Sequence, residues 1–485
     1  MDSAAAGTAP RGSLFQTRLN QTRVLITIAD RGKAHMADCK TCGKPSRPLG
    51  TDAASIYCDD CLARMLELAS QKESAKWSFW DDLPASPSAT KGPFTAVNIL
   101  LAINSLVWVA MVASGVSWFN PGPGEMLRWG ASYGPMTLTG QFWRVLTSMF
   151  LHYGIIHLLG NIYVLWRFGL PFERLFGRWV TFAVYLLTGA AAVLSGTQWY
   201  PQAVVAGASG AIFGFLGVLI AFFSFGRIEL PRKRKRIMLL WALLWVLVFF
   251  FWGSIWLLVW HVAHLGGLVC GLLLGTFLAF TFRSSGEARP SRQSWILLAT
   301  AIVLAAFFFT LIATKPDIVE LGRGSAALTK ADYSAAIPHL QRYLAVHPDA
   351  DVFALLGNAF DQDRQIDDAR KAYEQSVALD GGKPLVRIRL AVLCLSQGQP
   401  TKADELLLKS AELLGSEAMF FESQNDRLTR SEEFEEAASL LRRAAEIAPH
   451  DKVAHQTLAQ IYQQQSKFEM AAKELQLAQD TSATR

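Results

Sequence analysis

Long uncharged runs fill residues 93–314, whereas both flanks carry ordinary mixtures of charged and polar residues. Seven runs approach the roughly 20 apolar residues that a bilayer-crossing helix requires. They lie at about 94–117, 146–167, 179–197, 204–225, 237–258, 260–281 and 294–314. The pattern predicts seven membrane helices with a polar segment at each end. Arg167, Arg174 and Arg178 are expected between spans two and three, Arg227 and Arg232–Arg236 between four and five, and Arg283, Arg289 and Arg292 between six and seven. The opposite loops, "GTQWYPQA" and "WGSIW", contain neither Lys nor Arg. The positive-inside tendency therefore places the N-terminus in the cytoplasm and the C-terminal segment on the far side. Residues 118–145, rich in Trp, Gly and Pro, are expected to lie at the outer interface.

Composition refines this picture. Thirty Phe and 15 Trp among 485 residues and a mean hydropathy of +0.23 fit a membrane protein of two or three domains. The formal charge of +6 indicates no nucleic-acid partner, because much of the basic excess sits in short loops. The run "PRKRKR" (231–236) reads as a topology determinant touching anionic lipid. The first 90 residues contain no apolar core of a cleavable signal, so the first span is expected to direct insertion.

Near the N-terminus, Cys39, Cys42, Cys58 and Cys61 form C-x2-C, a 15-residue spacer and C-x2-C. That spacing suits a structural zinc ion, with each close pair of thiolates taking two corners of a tetrahedron. Cys270 and Cys394 have no evident partner in the sequence and read as packed thiols.

The C-terminal segment repeats. Ala336, Ala369, Ala403, Ala437 and Ala471 are spaced by 33, 34, 34 and 34, and Leu340, Tyr373, Leu407, Leu441 and Leu475 follow each by four. Gly324, Gly357, Ala391, Asn425 and Ala459 precede them by twelve. A 34-residue period with small residues at helix crossings resembles tetratricopeptide repeats. About five units fit, the fourth irregular near "FFESQND". Such stacked helix pairs imply a groove for a peptide or partner protein.

Polar residues inside membrane spans are costly and point to function. His152, His157 and Asn161 fall in the outer half of span two. Ser209 falls in the second turn of span four, and His261 and His264 in the first turns of span six. Six polar residues on three spans thus share one layer near the outer face. His157 and Asn161, at i and i+4, share a helix face. Gly210, Gly214 and Gly217 run beneath Ser209, and Gly267, Gly271 and Gly275 follow His264. Two facing glycine seams would bring spans four and six close enough for Ser209 and His264 to meet. A hydroxyl beside a neutral imidazole is an activated nucleophile. His157, Asn161 and the Ser209 backbone N–H are suited to hold an oxyanion. The layer contains no Asp or Glu, so the expectation is a Ser–His dyad without a third carboxylate.

Jointly, "GQFWRVLTSMFLHYGIIHLLGN" (140–161), "GASGAIFG" (207–214) and "HVAHLGGLVCG" (261–271) resemble the rhomboid intramembrane serine proteases over roughly residues 94–282. The resemblance implies a six-span core, Ser209 as nucleophile, His264 as base, and His157 and Asn161 as side chains of the oxyanion hole. It implies supporting places for His152, Gly207, Gly210, Gly267 and Phe213; Phe213 stands where some members have a tyrosine packed on the base. It also implies a small substrate residue before the scissile bond. His261 has no firm counterpart and reads as supporting or pore-lining. Trp143 and Arg144 read as interface anchors, and Trp252 and Trp256 on span five as a gate for substrate entering between spans two and five.

The expected fold is all-α: a polytopic bundle of a six-span core plus a seventh span, with a small four-cysteine zinc module and an α-solenoid. Its divisions are a disordered 1–34, the zinc module 35–70, a linker 71–92, the protease core 93–283, the seventh span 284–316 and the repeats 317–485. The expected activity is cleavage of transmembrane or membrane-anchored proteins near the outer face of a bacterial plasma membrane, with no cofactor for catalysis. The alternative is an inactive rhomboid-like binding protein. A transporter is disfavoured because the polar layer lies near one face instead of mid-membrane. If the repeats only recruit, deleting residues 317–485 leaves cleavage of a generic substrate intact.

Overall fold

The computed structural model describes residues 94–226, 232–254, 258–281, 290–421 and 427–480, with isolated positions between 37 and 67. The chain divides into two compact units, Met1–Leu83 and Pro84–Arg485. In the first, β1 (Ala37–Asp38) and β2 (Pro45–Ser46) pair antiparallel. This two-residue hairpin is the only strand pair among the described residues, and everything else of regular structure is helical. The expected divisions at 1–34 and 71–92 lie outside the described residues.

The second unit opens with α1 (Ala96–Ala113), followed by short helices α2 (Pro123–Arg128), α3 (Gly134–Thr137) and α4 (Arg144–Thr147). Then come α5 (Ile155–Phe176), α6 (Arg178–Trp199), α7 (Ser209–Phe225), α8 (Arg232–Ser254), α9 (Leu258–Ala279) and α10 (Pro290–Thr314). Helices thus stand at all seven predicted spans. Among the described residues, α1, α5, α6, α9 and α10 are long and apolar enough to cross a membrane. Trp179 and Trp199, each 70% exposed, mark the two ends of α6 about 30 Å apart, the spacing of an interfacial aromatic belt.

Two boundaries differ from expectation. The apolar run places span two at 146–167, but α5 begins at Ile155 and runs to Phe176. Arg167 and Arg174 therefore lie within α5, and Gly177 alone connects it to α6. Gly177 adopts φ +83°, a conformation glycine takes without the Cβ penalty. Ser209 is the first residue of α7, not a second-turn residue. At about 26 Å, α7 is shorter than the ~30 Å hydrocarbon layer, so it can start below a membrane surface.

The α7 helix is the axis of the bundle, with nearly every residue from Ser209 to Phe223 buried. Phe215 stacks on Phe172 of α5, ring centroids 4.5 Å apart, and Phe222 meets Phe176 edge-on at 4.9 Å. The glycine seams pack as their spacing suggests. A Cβ on Gly267 would overlap the Gly210 backbone, one on Gly271 the Gly214 backbone, and one on Gly217 would lie 2.5 Å from the Leu268 carbonyl. Small residues here let the backbones touch.

One contact has no forecast in the sequence. The buried Glu173 carboxylate near the end of α5 accepts hydrogen bonds from Ala96 N (2.8 Å) and Val97 N (3.0 Å), capping α1. A carboxylate on the first amides of a helix satisfies orphan donors and meets the helix dipole. Glu173→Ala is expected to cost about 3 kcal/mol, since hydrogen bonds to a charged group contribute about 1.5–3 kcal/mol each. Detergent-denaturant unfolding measures this, and Glu173→Gln, which keeps one acceptor, should lose less.

Beyond the membrane helices lie α11 (Pro316–Thr329), α12 (Tyr333–Leu344), α13 (Ala350–Gln362), α14 (Ile366–Leu379), α15 (Pro384–Ser396), α16 (Pro400–Phe421), α17 (Arg427–Ile447), α18 (Lys452–Gln464) and α19 (Phe468–Asp480). The repeat logic is visible in the packing. Gly324 faces Leu340 and Gly357 faces the Tyr373 ring, while Ala336, Ala369, Ala403, Ala437 and Ala471 are all buried. Leu475 departs from its counterparts at 38% exposed, in the final helix of the array. The irregular fourth unit corresponds to the long α16 and α17; residues 422–426, including Asn425, lie outside the described residues.

Candidate active site

The turn ahead of α7 sets the position of Ser209. Gly207 adopts φ +129° and its N–H donates to the Ser148 carbonyl at 2.9 Å. A Cβ there would sit 2.8 Å from His157 Cε1 and 3.2 Å from its Nε2, so glycine is needed for both backbone conformation and space. The turn delivers Ser209 to the N-terminus of α7, where helix amides and dipole favour negative charge.

Ser209 Oγ lies 2.8 Å from His264 Nε2. Both residues are buried. Phe213, one turn beyond Ser209, stacks on the imidazole with centroids 4.4 Å apart and planes within 10°. His264 Nδ1 has no hydrogen-bond partner among the described residues. The ring is therefore held by stacking where a triad would use a carboxylate.

His157 and Asn161 occupy adjacent turns of α5, and the buried Asn161 amide has neither its oxygen nor its nitrogen paired among the described residues. Unpaired buried polar groups in a native fold call for a reason, and a donor reserved for a reacting species is one. His152 is fully buried and meets His157 edge-on at 5.2 Å, but it lies in the turn before α5, not on the helix. A cavity of about 30 Å³ opens beside Ser209, lined by Gly189, Ala192, Val205, Ala206, Gly210 and Ala263 among others. Every one of these six is small or a β-branched valine.

His261 precedes His264 by three residues on α9 and makes a different contact. Its Nε2 lies 3.2 Å from the Phe250 carbonyl, and its ring meets Phe250 edge-on at 4.6 Å, linking α9 to α8. Nothing is described of the Trp252 side chain, and Trp256 lies outside the described residues.

Arg144 corrects the reading as an interface anchor. It is buried, its guanidinium donates to the Leu127 and Ala131 carbonyls at 2.8 Å each and to Gln141 Oε1 at 2.6 Å, and it sits 4.8 Å over the Trp143 ring. It organises the loop before α5 from within. Nor does any sequence pattern signal that Ser132 and Val205 form a backbone bridge (3.0 and 2.8 Å) or that Tyr153 donates to the Val204 carbonyl at 3.1 Å. These bonds hold the segment leading to Gly207.

In the first unit, Cys39, Cys42 and Cys61 bring their sulfurs within 4.8 Å of one another. The Gly43 amide donates to the Cys39 carbonyl at 2.8 Å, forming a tight turn between the first pair. Three converging sulfurs are a donor set that suits a structural zinc ion. Cys58 lies outside the described residues.

Comparison with known proteins finds two matched regions on the chain. Residues 139–280 match the rhomboid domain, and residues 321–384 and 354–413 match the tetratricopeptide repeat. The chain is 28% identical to rhomboid-like protease 2 of Toxoplasma gondii over 44% of this chain and 77% of that one. It is 33% identical to rhomboid protease GluP of Bacillus subtilis (strain 168) over 27% of this chain and 25% of that one. Among solved structures it is similar to MamA, at 17% identity over 35% of this chain and 93% of that one, with a TM-score of 0.21. The chain is thus a multi-pass membrane protein that carries a rhomboid domain followed by tetratricopeptide repeats.

Proposed function

We propose that this protein is an intramembrane serine endopeptidase that cleaves transmembrane or membrane-anchored proteins near the outer face of a bacterial plasma membrane. The observation that carries the reading is the 2.8 Å contact of Ser209 Oγ with a His264 ring stacked on Phe213. His264 Nε2 takes the serine proton as Oγ attacks the substrate carbonyl. The Ser209 N–H, His157 and Asn161 receive the charge that develops on the carbonyl oxygen. His264 then passes the proton to the leaving amine, and water, activated by the same imidazole, hydrolyses the acyl-enzyme. The chemistry uses only these side chains and backbone groups.

A substrate helix protects its amides by internal hydrogen bonds, so cleavage requires a stretch that unwinds near Ser209. The small cavity beside Ser209 supports a small residue before the scissile bond. The repeats provide a surface for a protein partner or for the substrate itself. Residues 35–70 bind structural zinc through Cys39, Cys42, Cys58 and Cys61. Elemental analysis of the purified protein is then expected to give about one zinc per chain, falling toward zero in Cys39→Ser/Cys42→Ser; a folded protein without zinc would reject that assignment.

The inactive-binder alternative makes a different forecast for reconstituted vesicles. A single-span substrate with helix-weakening residues and an alanine before the expected scissile bond should be cut by wild type and left whole by Ser209→Ala. Capture of that substrate without cleavage by either protein would favour the binder.

A further inference from the structure

The repeat domain does not merely follow the membrane helices in sequence; it docks on the end of the bundle that carries Ser209. Helix α11 lies on α3 so closely that a Cβ on Gly322 would overlap the Pro135 carbonyl and sit 2.6 Å from the Thr139 side chain. Leu138, beside α3, shares one buried apolar cluster with Ile318, Val319 and Leu321 of α11 and with Leu194 of α6. A second contact joins Gln202, in the α6–α7 connection, to the Tyr343 hydroxyl of α12, with Asp349 Oδ2 at 3.5 Å. Burial, and after it the nearby Asp349 and Asp351 carboxylates, raise the Tyr133 phenol above its ordinary value, a further sign that these surfaces are close.

The two docked segments are themselves one piece. Gly134 N donates to the Pro201 carbonyl at 2.8 Å, and the Ser132–Val205 bridge follows directly. Val205 and Ala206 then form one wall of the cavity beside Ser209. A continuous set of short contacts therefore runs from α11 and α12, through residues 132–139 and 201–205, to that wall.

We propose that the repeat domain is a positioning element for the active site: α11 and α12 hold the 201–206 segment against Ser209 and so set the size of side chain accepted before the scissile bond. Gly322, Gln202 and Tyr343 are the positioning residues. The inference rests on the protease reading above. It changes one expectation, because a purely recruiting domain would leave cleavage of a generic substrate untouched. A wall shift of about 1 Å is enough to matter in a cavity of about 30 Å³, since misplacement of that order can cost about 10²-fold in rate.

The test uses the full-length protein in vesicles and two substrates that differ only in Ala or Leu before the scissile bond. Gln202→Ala and Tyr343→Phe each remove the same hydrogen bond from opposite sides, and Gly322→Leu breaks the closer contact. Each variant is expected to keep fluorophosphonate labelling of Ser209 while its Ala-over-Leu preference in kcat/KM falls, by about tenfold for Gly322→Leu and about threefold for the other two. The double variant Gln202→Ala/Tyr343→Phe should fall no further than Gln202→Ala alone, because Gln202 also reaches Asp349 Oδ2. Unchanged preference in all three, with labelling intact, overturns the proposal and leaves the docking as a tether. A folded wild type that neither labels nor cleaves overturns the protease reading, and the proposal with it.

Discussion

His264→Ala is expected to lower turnover of a membrane-embedded substrate by at least about 10³-fold, and Ser209→Ala to reduce it to background. General-base assistance contributes about 10²–10⁴-fold, and nucleophile and base act as one unit whose separate removals do not add. The double variant should therefore be no slower than Ser209→Ala. Ser209→Ala deletes one hydroxyl, so its unfolding midpoint should stay close to wild type, whereas His264→Ala empties a buried ring stacked on Phe213 and should lower it; rates are therefore compared per folded protein. Phe213→Ala is expected to act more gently. It leaves the 2.8 Å contact possible but removes the stacked ring that orients an imidazole whose Nδ1 has no partner among the described residues. Initial rates in vesicles, scaled to folded protein, check all three.

Gly267→Leu should be the most destabilising single change in the membrane bundle. The atoms nearest to the added Cβ are the Gly210 backbone O, C and Cα, and a helix backbone cannot turn aside as a side chain does. Overpacking a tight core costs about 1–3 kcal/mol, and here a displaced α9 also carries His264 away from Ser209. A loss of at least about 3 kcal/mol is expected, together with loss of activity. Gly160→Ala is the control: a Cβ at Gly160 meets nothing within 4 Å. Thermal unfolding in detergent should place the two far apart, and similar midpoints would mean that the seam is loose.

Which parts were legible follows from what each depends on. The presence of a helix at each apolar run and the glycine seams depend on local composition and four-residue spacing, and both can be read along the chain. The convergence of Ser209 and His264 follows once those seams are set face to face. The start of α5 does not follow, because residues 146–154 are free of Asp, Glu, Lys and Arg whether they cross lipid or fold as short turns buried in protein. Irregular backbone is permitted at membrane depth only in the second case. Arg144 and Glu173 look like ordinary charges in the sequence because their partners are carbonyls and amides of distant segments, Leu127 and Ala131 for one and Ala96 and Val97 for the other. The docking of the repeats was further from reach, since nothing near Gly322 in sequence announces Pro135 as its neighbour.

The central claim is that "GASG" seats an activated serine, and labelling with a fluorophosphonate probe tests it without knowledge of any substrate. Purified, detergent-solubilised wild type, Ser209→Ala and His264→Ala would be compared at equal folded concentration. The expected result is strong label on wild type, none on Ser209→Ala and a sharp fall with His264→Ala. Equal label on all three, or none on a folded wild type, would contradict the account and leave Ser209 as a residue of helix packing.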